Sequence, residues 1–411
     1  MTMRRTPPLS STAARIRPPV FSDLQARIDR LTARGMELVP LQIGDTWLAP
    51  PEGARRTLAE IDGSDASMYR YGPTAGVAAL RESVGRLVRR HGLDVDPVEE
   101  VLIGNGGTHA LFCAARAVLD AGDEVLMASP YWPLAPGIFT SCGAVPVEVP
   151  LTQRLYADPT LDAGARFTAA ITPRTKALYL ISPNNPDGKV LSRRDLESIA
   201  AVAREHDLWV FSDEVYADTV FDGEHVSIAT LPEMRDRTIV LHSMSKSHAL
   251  AGCRVGFAVA PAAVVASARR VSTHSAFNVS IVMQRAALAA IEDETFPRSA
   301  RDTYRDARDR AFAAFSAAPV VVHRAEGATY LFVDFAPAFV AMGPERAGPR
   351  PLLALLERAV DRGVLLAPGD AFGAHYGTSA RLCTTAVPID RVLLGITRLL
   401  DALEAMRTGT A

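Results

Sequence analysis

The sequence predicts an α/β protein: a large domain with a mostly parallel seven-stranded sheet flanked by helices, plus a smaller α+β domain. Its 411 residues suffice for two or three domains. Between about residues 100 and 260, short apolar runs alternate with helical patterns, as in parallel strands that are covered on both faces. Beyond residue 294, charged helices and a few strands indicate the smaller α+β unit.

Each expected element can be assigned to a stretch of sequence. The strands of the large sheet are VLI (101–103), EVLMA (124–128), VPVEV (145–149), ALYLI (177–181), LWVFS (208–212), TIVLH (238–242) and VGFAVA (255–260). The helices between them include 108–119, 193–205 and the stretch from about 262 to 292. The C-terminal part continues with a helix (about 294–317), the strands VVVH and YLFVDF, a helix around 351–362, the strand and turn GVLLAPG, and a final helix (389–406). The stretch 336–350, which contains Pro and Gly, is expected to be a surface loop.

These elements suggest three parts of the chain. Residues 1–18, rich in Arg and Pro, are expected to form a mobile N-terminal arm. Residues 50–305 are expected to form the large domain, and residues 19–49 together with 306–411 the small domain. Neither a signal-peptide core nor a run of about 18 apolar residues is found, so no membrane association is expected.

Composition narrows the class of function. The net charge of −2 gives no reason to expect nucleic-acid binding. The four cysteines form no C-x-x-C pair and the nine histidines no H-E-x-x-H motif, so no metal site or disulfide framework is expected. Cysteines that form neither disulfides nor a metal site fit an enzyme of the reducing cytoplasm.

Lysine usage is more informative. Only Lys176, Lys189 and Lys246 occur among 44 basic residues, so arginine supplies the general positive charge. Guanidinium stays protonated and forms no Schiff base, whereas a lysine amine can. A well-placed lysine is therefore a candidate nucleophile in this chain.

Ligands of open α/β sheets bind beyond the carboxyl ends of the strands, so the residues that follow each run are the candidates. Gly104–Thr108 joins a strand to a helix, which suits either an anion site at the helix N-terminus or an ordinary tight turn. Trp132 follows the next run and could stack on a flat ring or pack beneath a loop. Asn185 lies in S-P-N-N-P-D-G, which also reads as two successive turns.

Two further runs end in groups that carry charge. Asp213 and Tyr216 follow LWVFS, where a carboxylate leaving an apolar strand needs a cation or serves as a helix cap. Lys246 follows TIVLH in S-M-S-K-S, close to Arg254, where the alternative is a surface lysine. Together the segments that follow these five runs offer backbone N–H groups for an anion, an aromatic ring, an amide, a carboxylate, a phenol and an amine. That combination suits pyridoxal 5′-phosphate.

With these residues, the chain resembles the class I/II aminotransferases of the pyridoxal-phosphate (PLP) fold type I, from about residue 20 to 405. The motifs that carry the resemblance are S-P-N-N-P-D-G, S-D-E-V-Y and S-M-S-K-S…G-C-R-V-G-F. The family's usual N-P-T-G reads N-P-D-G here, a departure at Asp187 that is expected to be minor. Some dicarboxylate-preferring relatives have a lysine where this chain has Thr108.

The resemblance implies roles for individual residues. Lys246 is expected to form the internal aldimine and to move the proton between substrate Cα and cofactor C4′. Asp213 is expected to pair with the pyridinium nitrogen, and Arg381, in SARLCTT, to bind the substrate α-carboxylate near Gly44. The remaining cofactor contacts are expected from Gly107, Thr108, Ser243, Ser245 and Arg254 at the phosphate, Trp132 on the ring, and Asn185 and Tyr216 at the phenolic oxygen; Asn185 also counts as a substrate contact.

The resemblance also implies partners. Tyr71, in YRYGPTAG, matches a tyrosine that reaches the phosphate of the neighbouring subunit, so a homodimer with shared active sites is expected. The predicted activity is ping-pong amino transfer between an α-amino acid and a 2-oxo acid. A β-eliminating C–S lyase, a decarboxylase or an amino-acid oxidase would use the same apparatus. A non-enzymatic, ligand-sensing role is a third alternative, although no DNA-binding segment accompanies the chain.

Overall fold

The computed structural model describes residues 8–18 and 22–409. The strands are β1 (Val39–Pro40), β2 (Val101–Asn105), β3 (Glu124–Ser129), β4 (Val145–Pro150), β5 (Thr175–Ile181), β6 (Trp209–Asp213), β7 (Thr238–Ser243), β8 (Val255–Val259), β9 (Val321–Val322), β10 (Tyr330–Asp334), β11 (Val364–Leu365), β12 (Ala367–Pro368) and β13 (Ser379–Cys383). The helices are α1 (Ser11–Arg15), α2 (Ser22–Ala33), α3 (Glu52–Ala59), α4 (Ala78–Arg89), α5 (Gly107–Val118), α6 (Ala135–Ser141), α7 (Thr152–Ala157), α8 (Ala163–Thr168), α9 (Arg193–Glu205), α10 (Met244–Ser247), α11 (Ala262–Ser275), α12 (Ile281–Ile291), α13 (Phe296–Ala313), α14 (Ala336–Met342), α15 (Pro344–Ala347), α16 (Pro351–Asp361) and α17 (Ile389–Thr408).

The large sheet has seven strands in the order β2-β8-β7-β6-β5-β3-β4. The pairs from β7 through β6, β5 and β3 to β4 are parallel, whereas β8 runs antiparallel to both of its neighbours. The predicted fold class, a mostly parallel seven-stranded sheet with a smaller α+β unit, is confirmed. All seven predicted runs become strands of this sheet.

Helices cover both faces of the large sheet, which explains why its strands are continuous apolar runs. Every residue of β3 and of β7 is buried. On one face α5, α6 and α11 share a core with side chains such as Met127 and Leu241. On the other face α8 and α9 pack on Leu126 and Val210, while α4 and α12 pack near β2 and β8. Strands buried on both sides have no polar face, so alternation is missing from their sequence.

A second core lies around the small antiparallel sheet β12-β13-β10-β9 and the two-stranded pair β1-β11. It joins Leu24, Val39 and Leu41 to side chains of α13, α16 and α17. We propose that residues 19–49 and 306–411 form the small domain and residues 50–305 the large one, and this shared core supports the division. Of the expected arm, α1 belongs to the described residues, while residues 1–7 lie outside them.

Three sequence-based expectations about helices were wrong in detail. The expected loop at 336–350 contains α14 and α15, because Pro337 and Pro344 occupy first-turn positions, where proline is tolerated. The stretch 262–292 is two helices, α11 and α12, and Phe277 between them has a positive φ of 62°. The helix expected at about 294–317 is α13 and ends at Ala313. Across the described ranges, every helix is too short or too polar to cross a bilayer.

Candidate active site

A cavity of about 330 Å³ opens at the carboxyl ends of the large sheet. Twelve of the predicted site residues line it: Gly44, Gly107, Thr108, Trp132, Asn185, Asp213, Tyr216, Ser243, Ser245, Lys246, Arg254 and Arg381. The sheet itself brings most of them together, since Asp213 ends β6, Ser243 ends β7 and Asn185 follows β5. Parallel neighbours end at one edge, where ligands bind in open α/β sheets.

One end of the cavity has the features of an anion site. Gly106, at φ +79°, is the N-cap of α5, so Gly107 and Thr108 present the first backbone N–H groups of that helix. A Cβ on Gly106 would lie 2.3 Å from Arg254 Nη2, so the guanidinium rests against this turn. Arg254 itself has a φ of +54°, which is uncommon for arginine. A phosphate fits the combined helix N-terminus and guanidinium.

Two serines complete this end of the cavity. Ser243 Oγ donates to Ser245 Oγ at 2.8 Å and accepts from the backbone N–H of Ser245 at 3.1 Å. Ser243 is thereby the N-cap of the short helix α10, which carries Lys246. The cap fixes the direction in which the lysine leaves the sheet edge.

Asp213 is a buried carboxylate that lacks a cationic partner among the described residues. It is 7% exposed, and Tyr179 Oη donates to its Oδ2 at 2.9 Å. Burial raises the pKa of Asp213 to about 6, while the hydrogen bond from Tyr179 acts in the opposite sense. A buried carboxylate gains most from an opposite charge, so its chemistry fits a protonated pyridine nitrogen.

The amine of the site contacts the N-terminal segment, and its phenol contacts a tyrosine of β10. Lys246 Nζ donates to the carbonyl oxygen of Gly44, 202 residues earlier in the chain. Tyr216 Oη and Tyr330 Oη are 2.7 Å apart. Burial raises the pKa of Tyr216 well above its ordinary value, and so does the nearby Tyr330, so Tyr216 remains a neutral phenol that can donate.

Arg381, on β13, is buried between two aromatic rings. Its Cζ lies 4.4 Å from the centroid of the Tyr330 ring and 5.0 Å from that of Phe372. Nη1 donates to Asn185 Oδ1 at 2.9 Å, and Nη2 donates to Gln42 O at 2.6 Å. The fork is thus held in one orientation before any substrate arrives, which suits bidentate binding of a carboxylate.

Sequence reasoning missed three residues of this site. Tyr179 lies inside the apolar run ALYLI, and Tyr330 inside YLFVDF, where strand-forming aromatics are ordinary. Phe372 lies in a turn of the C-terminal part that had no predicted role. Only the polar group at the tip of each tyrosine, which needs a partner when buried, could have drawn attention to them.

Tyr71 lies outside the cavity. It is 85% exposed, its ring centroid is 4.8 Å from that of Phe277, and it lines a separate surface cleft with Arg70 and Ile281. Its role at the neighbouring subunit therefore remains a prediction. His109, which follows Thr108, does not line the cavity either, and burial lowers its pKa.

A second group of titratable side chains lies behind the cavity, on the opposite side of β6 and β7. Glu214 is 1% exposed, and its carboxylate lies 3.0 Å from His225 Nε2 and 3.9 Å from His242 Nε2. Ser212 and Ser227 donate to Glu214 Oε1 at 2.8 and 2.7 Å. Burial alone would raise the pKa of Glu214, but His225, His242 and Ser227 together lower it to about 2.

The same group continues toward α4. His91 Nε2 lies 3.5 Å from Asp218 Oδ1, and its ring stacks on His242 with centroids 6.0 Å apart. Burial lowers the pKa of His242 to about 4, and that of His248 to about 4 as well. Burial, the largest single influence, acts to lower the pKa of His91, but the nearby carboxylates of Asp218 and Glu214 together raise it above its ordinary value. No described set of three such side chains is arranged to hold a metal ion.

Comparison with known proteins places the chain in a family. The family described as aminotransferase class I and II matches residues 37–398. An aspartate/prephenate aminotransferase of Thermus thermophilus is 33% identical over 95% of this chain and 98% of its own. An arginine–pyruvate transaminase, AruH, of Pseudomonas aeruginosa is 34% identical over 88% of each chain. The solved aspartate aminotransferase from Thermus thermophilus with maleate superposes with a TM-score of 0.85 at 31% identity, covering 97% of this chain and all of the other.

Proposed function

The chain belongs to the class I and II aminotransferases, which are PLP-dependent, and we propose that it transfers amino groups by a ping-pong mechanism with its cofactor joined to Lys246 Nζ. An α-amino acid gives up its amino group and leaves as a 2-oxo acid, and a second 2-oxo acid then takes up that amino group. The single observation that carries the proposal is the cavity in which Lys246, the uncompensated Asp213 and the aromatic-flanked Arg381 meet.

The described residues fit pyridoxal phosphate group by group. The N-terminus of α5, Ser243, Ser245 and Arg254 would hold its phosphate, and Trp132 would lie on its ring. When bound, the cofactor supplies an aldehyde for an amine and a ring that accepts an electron pair. Asp213 would keep the ring nitrogen protonated, because its buried carboxylate has no other cation within the described part of the chain.

The chain's own groups then divide the work. Arg381 binds the α-carboxylate of the substrate beside Gly44, and this fixes the direction of the Cα–H bond. Lys246 Nζ would move the proton between the substrate Cα and the cofactor C4′. Tyr216 and Asn185 donate toward the phenolic oxygen; Asn185 Oδ1 is already occupied by Arg381, which leaves its amide hydrogens for the cavity.

The half-reaction provides the test. Protein loaded with PLP is mixed with one amino acid at a time and no acceptor, and the visible absorbance and the products are followed. One equivalent of the matching 2-oxo acid, with loss of the visible band, supports amino transfer. Repeated turnover to ammonia, carbon dioxide or hydrogen peroxide would instead indicate a lyase, a decarboxylase or an oxidase.

The lysine assignment is tested separately. Borohydride reduction followed by peptide mass spectrometry should find the cofactor on Lys246. Lys246→Ala should abolish this linkage, while Lys176→Ala, a change at an exposed lysine, should not alter it. Cofactor found on Lys176 or Lys189 would refute the assignment.

A further inference from the structure

The turn after β5 contains a buried carboxylate that faces away from the cavity. Asp187 is 2% exposed and accepts four hydrogen bonds. Its Oδ2 accepts from Thr152 Oγ1 at 2.6 Å and from Gln153 Nε2 at 2.8 Å. Its Oδ1 accepts from Asn184 Nδ2 at 2.8 Å and from the backbone N–H of Lys189 at 3.2 Å. The carboxylate thus ties the turn to the beginning of α7.

Hydrogen bonds alone compensate this charge. The amine of Lys189 turns away to Glu326 Oε1 at 2.7 Å and lies over the ring of Tyr156. No ion pair found in the described ranges includes Asp187. A buried carboxylate without a cation is costly unless its oxygens are fully hydrogen-bonded. Its four donors meet that condition, and removing the carboxylate would leave buried donors without acceptors.

The same turn holds Asn185. The preceding Asn184 donates from Nδ2 to Pro130 O at 3.0 Å, and its backbone N–H donates to Lys189 O at 2.8 Å. On the cavity side, Asn185 Oδ1 accepts from Arg381 at 2.9 Å. Gly188, at φ +71°, closes the turn where a Cβ would come within 2.5 Å of Gly327 O. The position of Asn185 is therefore set by the bonds behind it.

We propose that Asp187 is a positioning residue, which holds Asn185 at the point where it reaches both the cofactor's phenolic oxygen and the carboxylate-binding Arg381. This rests on the proposed function. The family's usual threonine at this place has one hydroxyl, with two acceptor sites, and could not receive four donors. The departure at Asp187 is therefore matched by Thr152 and Gln153, which give this chain an anchor between the turn and α7.

Two measurements without turnover test the proposal. The first is the pH titration of the visible absorption of PLP-loaded protein, because Asn185 stabilises the charged phenolic oxygen. In Asp187→Ala, the apparent pKa of this visible-absorption titration should rise by about 0.5 unit or more. The second is the affinity for a 2-methyl amino acid, which has no Cα proton to lose. It should weaken by about threefold or more, whereas cofactor affinity should stay within about twofold.

A matched control separates positioning from loss of stability. Asp195 is also buried, at 6% exposure, and its Oδ2 accepts from Ser192 at the start of α9, away from the cavity. Asp195→Ala should lower the melting temperature but shift neither measurement. Thr152→Val removes one donor to Asp187 and should shift both in the same direction by less. For Asp187→Asn, both measured values should lie between those of wild type and Asp187→Ala. The Gln153 side chain can rotate so that its oxygen accepts a hydrogen bond from the new amide.

The outcomes are distinguishable. If wild-type protein has no titrating visible band with PLP, the proposed function fails. If wild type titrates and Asp187→Ala matches it in both measurements, only the role of Asp187 is refuted. Should Asp187→Ala not fold, Asp187→Asn and Thr152→Val decide, and wild-type behaviour in both variants overturns the proposal.

Discussion

Replacing His242 should make the stability of the protein less sensitive to acid. Burial holds the pKa of His242 at about 4 in the folded protein, against an ordinary value of about 6.5 in the unfolded chain. Between these two pH values, His242 is protonated in the unfolded chain but neutral in the folded protein. The free energy of unfolding therefore falls as the pH falls. On going from pH 7 to pH 5, the two states differ in protonation of His242 over about 1.5 pH units, between pH 6.5 and pH 5. This lowers the free energy of unfolding by roughly 2 kcal/mol. His242→Gln should lose that part of the pH dependence.

The charged groups around His242 do not reverse this effect of burial. Glu214 and Asp218 favour its protonation, and His91 and His225 oppose it, but burial is the largest influence. His91, whose pKa is raised, contributes in the opposite sense and is present in both proteins.

The measurement is equilibrium urea unfolding of the cofactor-free protein at pH 7 and pH 5, at one protein concentration. The exposed His274 provides the control, and His274→Gln should follow wild type. The wild-type free energy of unfolding should drop by about 2 kcal/mol more than that of His242→Gln between the two pH values. Curves that run parallel within about 0.5 kcal/mol would refute the reasoning.

Three further predictions concern the active site. Mixing inactive Tyr71 and Lys246 variants should restore part of the activity through hybrid dimers; a fully active monomer in light scattering would contradict this. Arg381→Leu should raise KM for the amino acid far more than it weakens PLP binding, since losing one partner of a buried charged pair costs about 2–5 kcal/mol; unchanged amino-acid kinetics would mean that the carboxylate binds elsewhere. We expect higher kcat/KM for neutral and aromatic amino acids than for aspartate and glutamate, because Lys246, Arg254 and Arg381 are the cavity's described cations and each has another task. If aspartate is preferred by about tenfold, or 1.4 kcal/mol, Arg70 becomes the first residue to mutate.

Much of the fold could be predicted because buried parallel strands leave a strong signal. Runs such as EVLMA and TIVLH are apolar throughout, and the groups that follow them gather at one edge by the geometry of the sheet. The alternation of side chains along β7 also explains what was missed. Ser243 faces the cavity and His242 the opposite side, so a search for ligand groups beyond strand ends does not detect the histidines behind them.

Other details depend on tertiary packing that local sequence does not record. The segment 336–350 looked like a loop because it contains Pro and Gly, yet Ala338 and Phe339 are buried against the small-sheet core and stabilise a helix there. The role of Asp187 could not be found either, since its donors Thr152 and Gln153 lie 35 and 34 positions earlier. The sequence around a polar residue in a turn is the same whether or not distant side chains donate hydrogen bonds to it.

The long separation of contacting residues also has a consequence for how the enzyme is made. Lys246 meets Gly44 across 202 positions, whereas Arg381 meets Gln42 across 339. Lys246 and Arg381 are 135 positions apart, so at about 5–20 residues per second roughly 7 to 27 s of synthesis separate them. A nascent chain therefore contains the residues of the sheet edge and its lysine before Arg381, the proposed carboxylate-binding residue, has been made. In the roles proposed for these residues, the groups that would hold the cofactor are therefore synthesised before the one that would bind the substrate carboxylate.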